Sequence, residues 1–196
     1  MRDVIFILLL SWVAATSMGA APGKPPDTQP APLAVSDLNG VIRHPMEAGE
    51  SKAAVLLFIA VDCPISNGYA PEINRICKEY EAQGVAFYLV YPDAELTTAD
   101  AKKHAADYGF TCPALLDRKH ELVRGVGATV TPEAVVLDHD GRIAYRGRID
   151  DLYAALGKRR YEATTHDLRA ALQAVVAGKP VPTPRTTAVG CAISEN

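Results

Sequence analysis

Residues 53–61 form an unbroken apolar run of the length expected for a strand buried on both faces. Residues 85–91 form a second such strand. Between them Ile73, Ile76, Cys77 and Tyr80 recur at helical spacing until Gly84. The stretch 97–108 predicts a second helix, opened by Thr97 with Asp100 three residues on and stopped by Gly109. A short third strand is predicted at 114–117. Strands at 133–138 and 142–146 are joined by the turn His139-Asp140-Gly141, and a closing helix spans 164–177, its start read from Thr164-Thr165-His166-Asp167. Near the beginning, 33–38 and 41–43 flank Asn39-Gly40, a two-residue hairpin signal. Alternating strands and helices predict an α/β domain with right-handed crossovers and a mostly parallel sheet covered by helices. Residues 150–163 fit a loop or partial helix.

The two ends differ from this pattern. Residues 4–15 are apolar except for Ser11, follow Arg2 and precede small residues from Ala14 to Ala20, which reads as a secretory signal peptide at 1–20 cut near Gly19 to Ala21. The run is shorter than the roughly 20 residues a spanning helix needs, so no stable membrane insertion is expected after cleavage; an uncleaved anchor is the alternative. Residues 21–32, with five prolines, form a Pro-rich linker, the folded domain occupies 33–178, and 179–196 is an extended tail interrupted by Pro180, Pro182 and Pro184. An exported chain, periplasmic or extracellular, keeps disulfides that cytosolic reductants would open. Twenty Lys and Arg against 23 Asp and Glu leave a net charge of -3, which supplies no footprint for nucleic acid. The 4 cysteines form no CxxC pair and no HExxH helix accompanies them, so no zinc site is expected and any cysteine chemistry belongs to individually placed thiols.

Cys63 is the thiol with a chemical context. It follows the first apolar strand and opens the next helix, with Pro64 where a missing N–H costs nothing. The positive end of a helix favours the thiolate, the nucleophilic form, while the charge of Asp62 opposes it. The alternative is an inert Cys buried at a strand end. All five His are expected in solvent, as are Asp150-Asp151 and Arg159-Arg160; Tyr69 either lines the Cys63 pocket or packs in the core.

Cys63-Pro64-Ile65-Ser66, with Pro71 eight residues after the Cys and then Ile73, Ile76 and Tyr80, resembles the active-site helix of the thioredoxin superfamily. The stretch from Val130 through Thr131-Pro132-Glu133 to Asp138, followed by Gly141 and Ile143, is similar to the cis-proline loop and terminal hairpin of redoxins. With the inserted helix and strand at 97–117, the chain resembles, over roughly 33–177, the exported redoxin branch of thiol-disulfide oxidoreductases and AhpC/TSA-type peroxiredoxin relatives. Asp62 to Asn67 together with a terminal Gly-Cys-x-Ile resembles a group of exported bacterial redoxin-domain proteins. The resemblance implies a thioredoxin-like α/β fold: a central mixed sheet flanked by helices, an N-terminal hairpin and an inserted helix-strand unit. It also implies a redox-active centre with Cys63 as nucleophile, and Pro64, Thr131 and a cis Pro132 binding substrate.

The departures narrow the chemistry. Ser66 stands where thioredoxins have their second cysteine, Leu57 where they have a buried carboxylate, and Asp62 where an aromatic residue precedes the first Cys. Ala60 and Leu56 replace the Thr or Ser and the Pro of a peroxidatic site, which disfavours a thiol peroxidase, and Asn67 and Pro132 replace the ligands of a Sco-type copper site. The terminal Gly-Cys of the resembling group implies Cys191 as resolving thiol, and the tail is long enough to fold back. Cys77 lies 14 residues beyond Cys63 on the same helix, roughly 21 Å away, and Cys112 precedes a strand at the other end of the sheet. These two cysteines could pair or remain separate buried thiols. No cofactor is expected, and partners are protein thiols or disulfides with an external redox partner; the alternatives are a Cu(I) module holding copper between Cys63 and Cys191, and a structural bond between them without turnover.

Overall fold

The computed structural model describes residues 33–194. The expected signal peptide (1–20) and Pro-rich linker (21–32) lie outside the described residues, as do 195–196. In chain order the elements are β1 (Val35–Ser36), β2 (Ile42–Arg43), β3 (Ala53–Phe58), α1 (Pro64–Glu81), β4 (Val85–Tyr91), α2 (Thr98–Asp107), β5 (Ala114–Leu116), α3 (Glu121–Val126), β6 (Val130–Thr131), β7 (Glu133–Asp138), β8 (Ile143–Gly147), β9 (Tyr153–Ala155), β10 (Lys158–Arg159), α4 (Asp167–Val176) and β11 (Cys191–Ala192).

The main sheet has the order β5-β4-β3-β7-β8. β3 pairs in parallel with β4 and β4 with β5, whereas β7 is antiparallel to both β3 and β8. The sheet is therefore mixed, as the family resemblance implies, and not mostly parallel as the alternation of elements alone predicts. The reason is the short α3, which carries the chain from the end of β5 into β6 and β7 without the full crossover that a parallel β7 would need. All six residues of β3 are buried, as a strand covered on both faces must be. One face of the sheet, with Val55, Leu57, Phe87 and Leu89, packs against Ile73, Ile76 and Tyr80 of α1, Ala101 of α2 and Leu168 and Leu172 of α4. The other, with Leu56, Phe58 and Val135, packs against Leu122 and Val126 of α3 and Met46. Each such buried aliphatic side chain contributes about 1.5–3 kcal/mol relative to exposure.

Several local expectations change. The first hairpin has a five-residue connection, with Ser36 opposite Ile42, because the Asp37 carboxylate gathers the N–H groups of Asn39 and Val41 and the guanidinium of Arg43. Residues 150–163 contain the small antiparallel pair β9 and β10. α4 begins at Asp167, not Thr164, since the Thr164 hydroxyl and the N–H groups of Thr164 and Thr165 bind the Asp151 carboxylate. Asp150 and Asp151 are buried, contrary to the expectation of solvated charge. Tyr69 is a core residue whose hydroxyl donates to Asp150 Oδ1 at 2.6 Å. His104 and His120 are also buried; His104 sits between the Tyr91 hydroxyl and Asn67 Oδ1, each at 2.9 Å. Among the described residues, no helix is long and apolar enough to cross a membrane.

Candidate functional site

The chain leaves β3 at Phe58, and Ile59 N–H continues onto the Val90 carbonyl before the segment 60–62 turns into α1. Cys63 is the N-cap of α1 in an extended conformation, and Pro64 occupies the first helical position. The turn is tied down from within the helix: the Ser66 hydroxyl accepts from Ala60 N–H at 3.4 Å, and Asn67 Nδ2 donates to the Val61 carbonyl at 3.0 Å. The other oxygen-bearing end of Asn67 meets His104, so α2 braces the same turn. These positioning roles of Ser66, Asn67 and His104 were missed by sequence reasoning, although Ser66 and Asn67 lie inside the motif that marked Cys63.

Opposite Cys63 lies the loop that joins β6 to β7. The Thr131–Pro132 peptide is cis. The Thr131 carbonyl accepts from the Cys63 thiol at 3.1 Å. Glu133 holds this loop: its carboxylate accepts from Thr129 N–H at 2.7 Å and lies 3.5 Å from Arg146 Nε, while Arg146 also donates to the carbonyls of Val126 and Gly127. Neither Glu133 nor Arg146 carried a signal in the sequence, because their pairing depends on the β7–β8 register.

The tail completes the arrangement. It first docks on the outer strand, where Arg146 N–H donates to the Pro184 carbonyl, Thr186 N–H donates to the Arg146 carbonyl, and the Thr186 hydroxyl meets Tyr145 and Arg148 N–H. It then crosses to the cis-proline loop as β11, antiparallel to β6, with Cys191 opposite Thr131 and Ala192 opposite Val130. Ile193 N–H donates to the Thr129 carbonyl at 3.0 Å. Gly190 permits this approach: a Cβ there would fall on the Thr131 carbonyl, 2.6 Å from its carbon and 3.0 Å from Pro132 N. Cys191 Sγ thereby comes to 2.6 Å from Cys63 Sγ, joining residues 128 apart in sequence. Cys63 has 0% of its surface exposed with the tail in place, and Cys191 is half-buried.

The two thiols are electrostatically unequal. Burial pushes the Cys63 thiol up, but hydrogen bonds from the Cys191 thiol and from the backbone and hydroxyl of Ser66 outweigh it and hold Cys63 below the usual thiol range. Cys191 is pushed up to about 11 by burial, by its hydrogen bond to Cys63, and by the charges of Cys63 and Asp62. Asp62 thus acts on the tail thiol. The arrangement can hold one thiolate with a protonated thiol donating to it, the two partners of a thiol–disulfide exchange. Among the described residues, no group of three or more His, Cys, Asp or Glu side chains is disposed to hold a metal ion.

The sequence model of the AhpC/TSA family matches residues 31–146. The chain belongs to this family. Within it, the chain is 25% identical over 152 residues to the thiol-disulfide oxidoreductase ResA of Geobacillus thermodenitrificans, covering 73% of this chain and 83% of that protein. A crystal structure of a hypothetical protein from Sinorhizobium meliloti superposes with a TM-score of 0.76 at 27% identity, covering 89% of this chain and 97% of the other. A secreted disulfide oxidoreductase of Mycobacterium tuberculosis shares the fold, with a TM-score of 0.51 at 17% identity over 74% of this chain and 95% of its own. The fold is thioredoxin-like, and the family and its relatives make this chain a redoxin-type oxidoreductase.

Proposed function

We propose that the protein is an exported thiol–disulfide oxidoreductase in which Cys63 is the attacking thiolate and the tail cysteine Cys191 the resolving thiol. The observation that carries this reading is the 2.6 Å approach of the two sulfurs, achieved by pairing β11 against the cis-proline strand. Export is supported by the apolar segment at 4–15 and the small residues that follow it.

Because Cys63 is covered, β11 lifts from β6 before a substrate disulfide enters, and the backbone of Thr131 is freed for an incoming extended segment. Cys63 thiolate attacks one sulfur of the substrate R–S–S–R′; the S–S bond breaks, R′S⁻ leaves and takes a proton from solvent, and Cys63 is held in a mixed disulfide with R. At that moment Cys63 carries no charge and no longer accepts from Cys191, so two of the causes that raise the Cys191 thiol disappear. Cys191 ionises more readily, its thiolate attacks Cys63 Sγ, and RS⁻ departs and is protonated. The substrate is reduced by two electrons and Cys63–Cys191 is oxidised to a disulfide; an external dithiol reverses the last state. Run backwards, the same steps oxidise a substrate dithiol.

The test is reduction of a model protein disulfide by the wild type, Cys63→Ser and Cys191→Ser. The reading expects no activity from Cys63→Ser and an accumulating mixed disulfide on Cys63 in Cys191→Ser. Unchanged activity of Cys63→Ser would overturn it.

A further inference from the structure

The other two cysteines form a second, separate pair. Cys77 lies on the apolar face of α1 with Ile73, Ile76 and Tyr80, and Cys112 ends the loop that leads from α2 into β5. Their sulfurs are 2.6 Å apart, and the residues retain 0% and 5% of their surfaces. This meeting does not depend on the sulfurs alone. One helical turn before Cys77, Asn74 Nδ2 donates to the Tyr108 carbonyl at 3.0 Å, so the same face of α1 already grips the same loop. Gly109, at φ +65, turns the chain there, and Phe110 N–H returns to the Ala105 carbonyl. Further on, Leu89 N–H bonds to the Pro113 carbonyl, which fixes Cys112 from its other side. Backbone contacts on both flanks of Cys112 therefore hold its sulfur against α1.

We propose that Cys77 and Cys112 are joined as a structural disulfide that staples α1 to the loop before β5 and takes no part in turnover. The bond closes a segment of 35 residues containing β4 and α2. It forms as this segment closes during folding, by exchange with a disulfide R–S–S–R: one cysteine thiolate attacks to give a mixed disulfide and RS⁻, then the second displaces the other RS⁻. The net change is Cys77–SH plus Cys112–SH plus R–S–S–R giving the cystine plus two R–SH, so the cysteines lose two electrons and the oxidant gains them.

Two features keep this bond out of the reaction at Cys63. Cys63 and Cys77 lie 14 residues apart on one helix, roughly 21 Å at 1.5 Å per residue, so no thiolate of the first pair reaches the second. The second pair has almost no exposed surface, and a buried sulfur is not open to in-line attack by a reductant. The two pairs thus separate by accessibility: one exposed through a liftable tail, the other sealed under α1.

The experiment uses the full chain, as wild type and as Cys63→Ser/Cys191→Ser, refolded in a glutathione disulfide and glutathione buffer. Each is unfolded in denaturant with N-ethylmaleimide and weighed by mass spectrometry, with or without prior treatment with dithiothreitol under native conditions. The double variant is expected to take up no maleimide in either case, and two only after reduction in denaturant. The wild type is expected to take up two after native reduction, at Cys63 and Cys191. Replacing both Cys77 and Cys112 by Ala, which removes the bond without adding bulk to the core, is expected to lower the thermal midpoint by about 5–15 °C. Two maleimides on the unreduced double variant would overturn the proposal, as would opening of Cys77–Cys112 by native reductant before unfolding. Because the double variant lacks Cys63 and Cys191, these outcomes are independent of whether those residues turn over a substrate.

Discussion

Replacing Gly190 by Ala tests whether the tail's contact with the cis-proline loop controls access to Cys63. The added methyl would overlap the Thr131 carbonyl oxygen and stand 2.6 Å from its carbon, against about 3.5 Å for an ordinary carbon–carbon contact, so the tail has to withdraw by about 1 Å or more. The obstacle is backbone and cannot rotate away. Gly190 is not among the glycines with positive φ, so the substitution adds no backbone strain of its own. Withdrawal weakens the β11–β6 pairing and the Ile193 bond to Thr129. At about 0.5–1.5 kcal/mol net per hydrogen bond, losing two costs about 1–3 kcal/mol, an increase of about 5- to 150-fold in the fraction of molecules with the tail lifted. The assay is alkylation of reduced protein by iodoacetamide, resolved by peptide so that Cys63 is read separately. It is run at pH about 10, above the ordinary thiol range, so that loss of the Cys191 hydrogen bond does not offset the gain in access. Cys63 is expected to react about 5- to 150-fold faster in Gly190→Ala, with the urea midpoint of the domain unchanged. Equal alkylation rates in the two proteins would refute the argument that β11 is what covers Cys63.

Three other substitutions probe the electrostatics and the buried polar contacts. Cys191→Ala removes a donor that favours the Cys63 thiolate, so the half-point of Cys63 alkylation against pH should move upward; a half-point that stays or falls would contradict the hydrogen bond's role. Tyr69→Phe deletes the hydroxyl that bonds the buried Asp150 carboxylate and should lower unfolding free energy by about 1–3 kcal/mol in urea titrations while leaving Cys63 reactivity unaltered. Burial lowers the His104 pKa, so the unfolded chain takes up its proton first as pH falls below about 6.5, and stability declines from there down through the folded-state value. His104→Gln should flatten that part of a stability–pH curve measured between pH about 7 and 5.

The elements that formed where the pattern predicted them are those whose stability is local or uniformly apolar. β3 and β4 are continuous runs covered on both faces, α1 has its apolar stripe and Pro64 start, and Thr97 caps α2 through Asp100 N–H. The direction of β7 was not legible in the alternation of elements and came only with the family resemblance, because it depends on α3, a six-residue helix preceded by His120 in the left-handed region and braced by the Asp117 carboxylate on Val123 N–H. Cys63 stood out at the junction of a strand and a helix, and the Thr131–Pro132 loop stood out through family resemblance. The residues that hold this pair in place were silent. Glu133 and Arg146 meet only through sheet register. His104 looked solvated among polar neighbours, and Asp150-Asp151 as a pair of like charges, whereas their partners, Tyr91, Tyr69 and Thr164, arrive from other segments.

The tail's first docking point, at 184–186 on the outer strand, is independent of its second at β11. If β11 lifts as the proposed cycle requires, Thr186 still fixes the tail, and Cys191 remains on a tether of five residues with a reach of about 17 Å. A thiol so confined competes at an effective concentration in the millimolar range or above. In the proposed mechanism, resolution of a mixed disulfide is therefore a unimolecular event whose rate does not depend on how much free thiol surrounds the protein. A dilute external thiol would not outrun it, and each captured substrate would be committed to release with the enzyme oxidised. Lengthening the tether between Thr186 and Gly190 would weaken that commitment gradually, turning a self-resolving redoxin into one whose outcome is set by its surroundings.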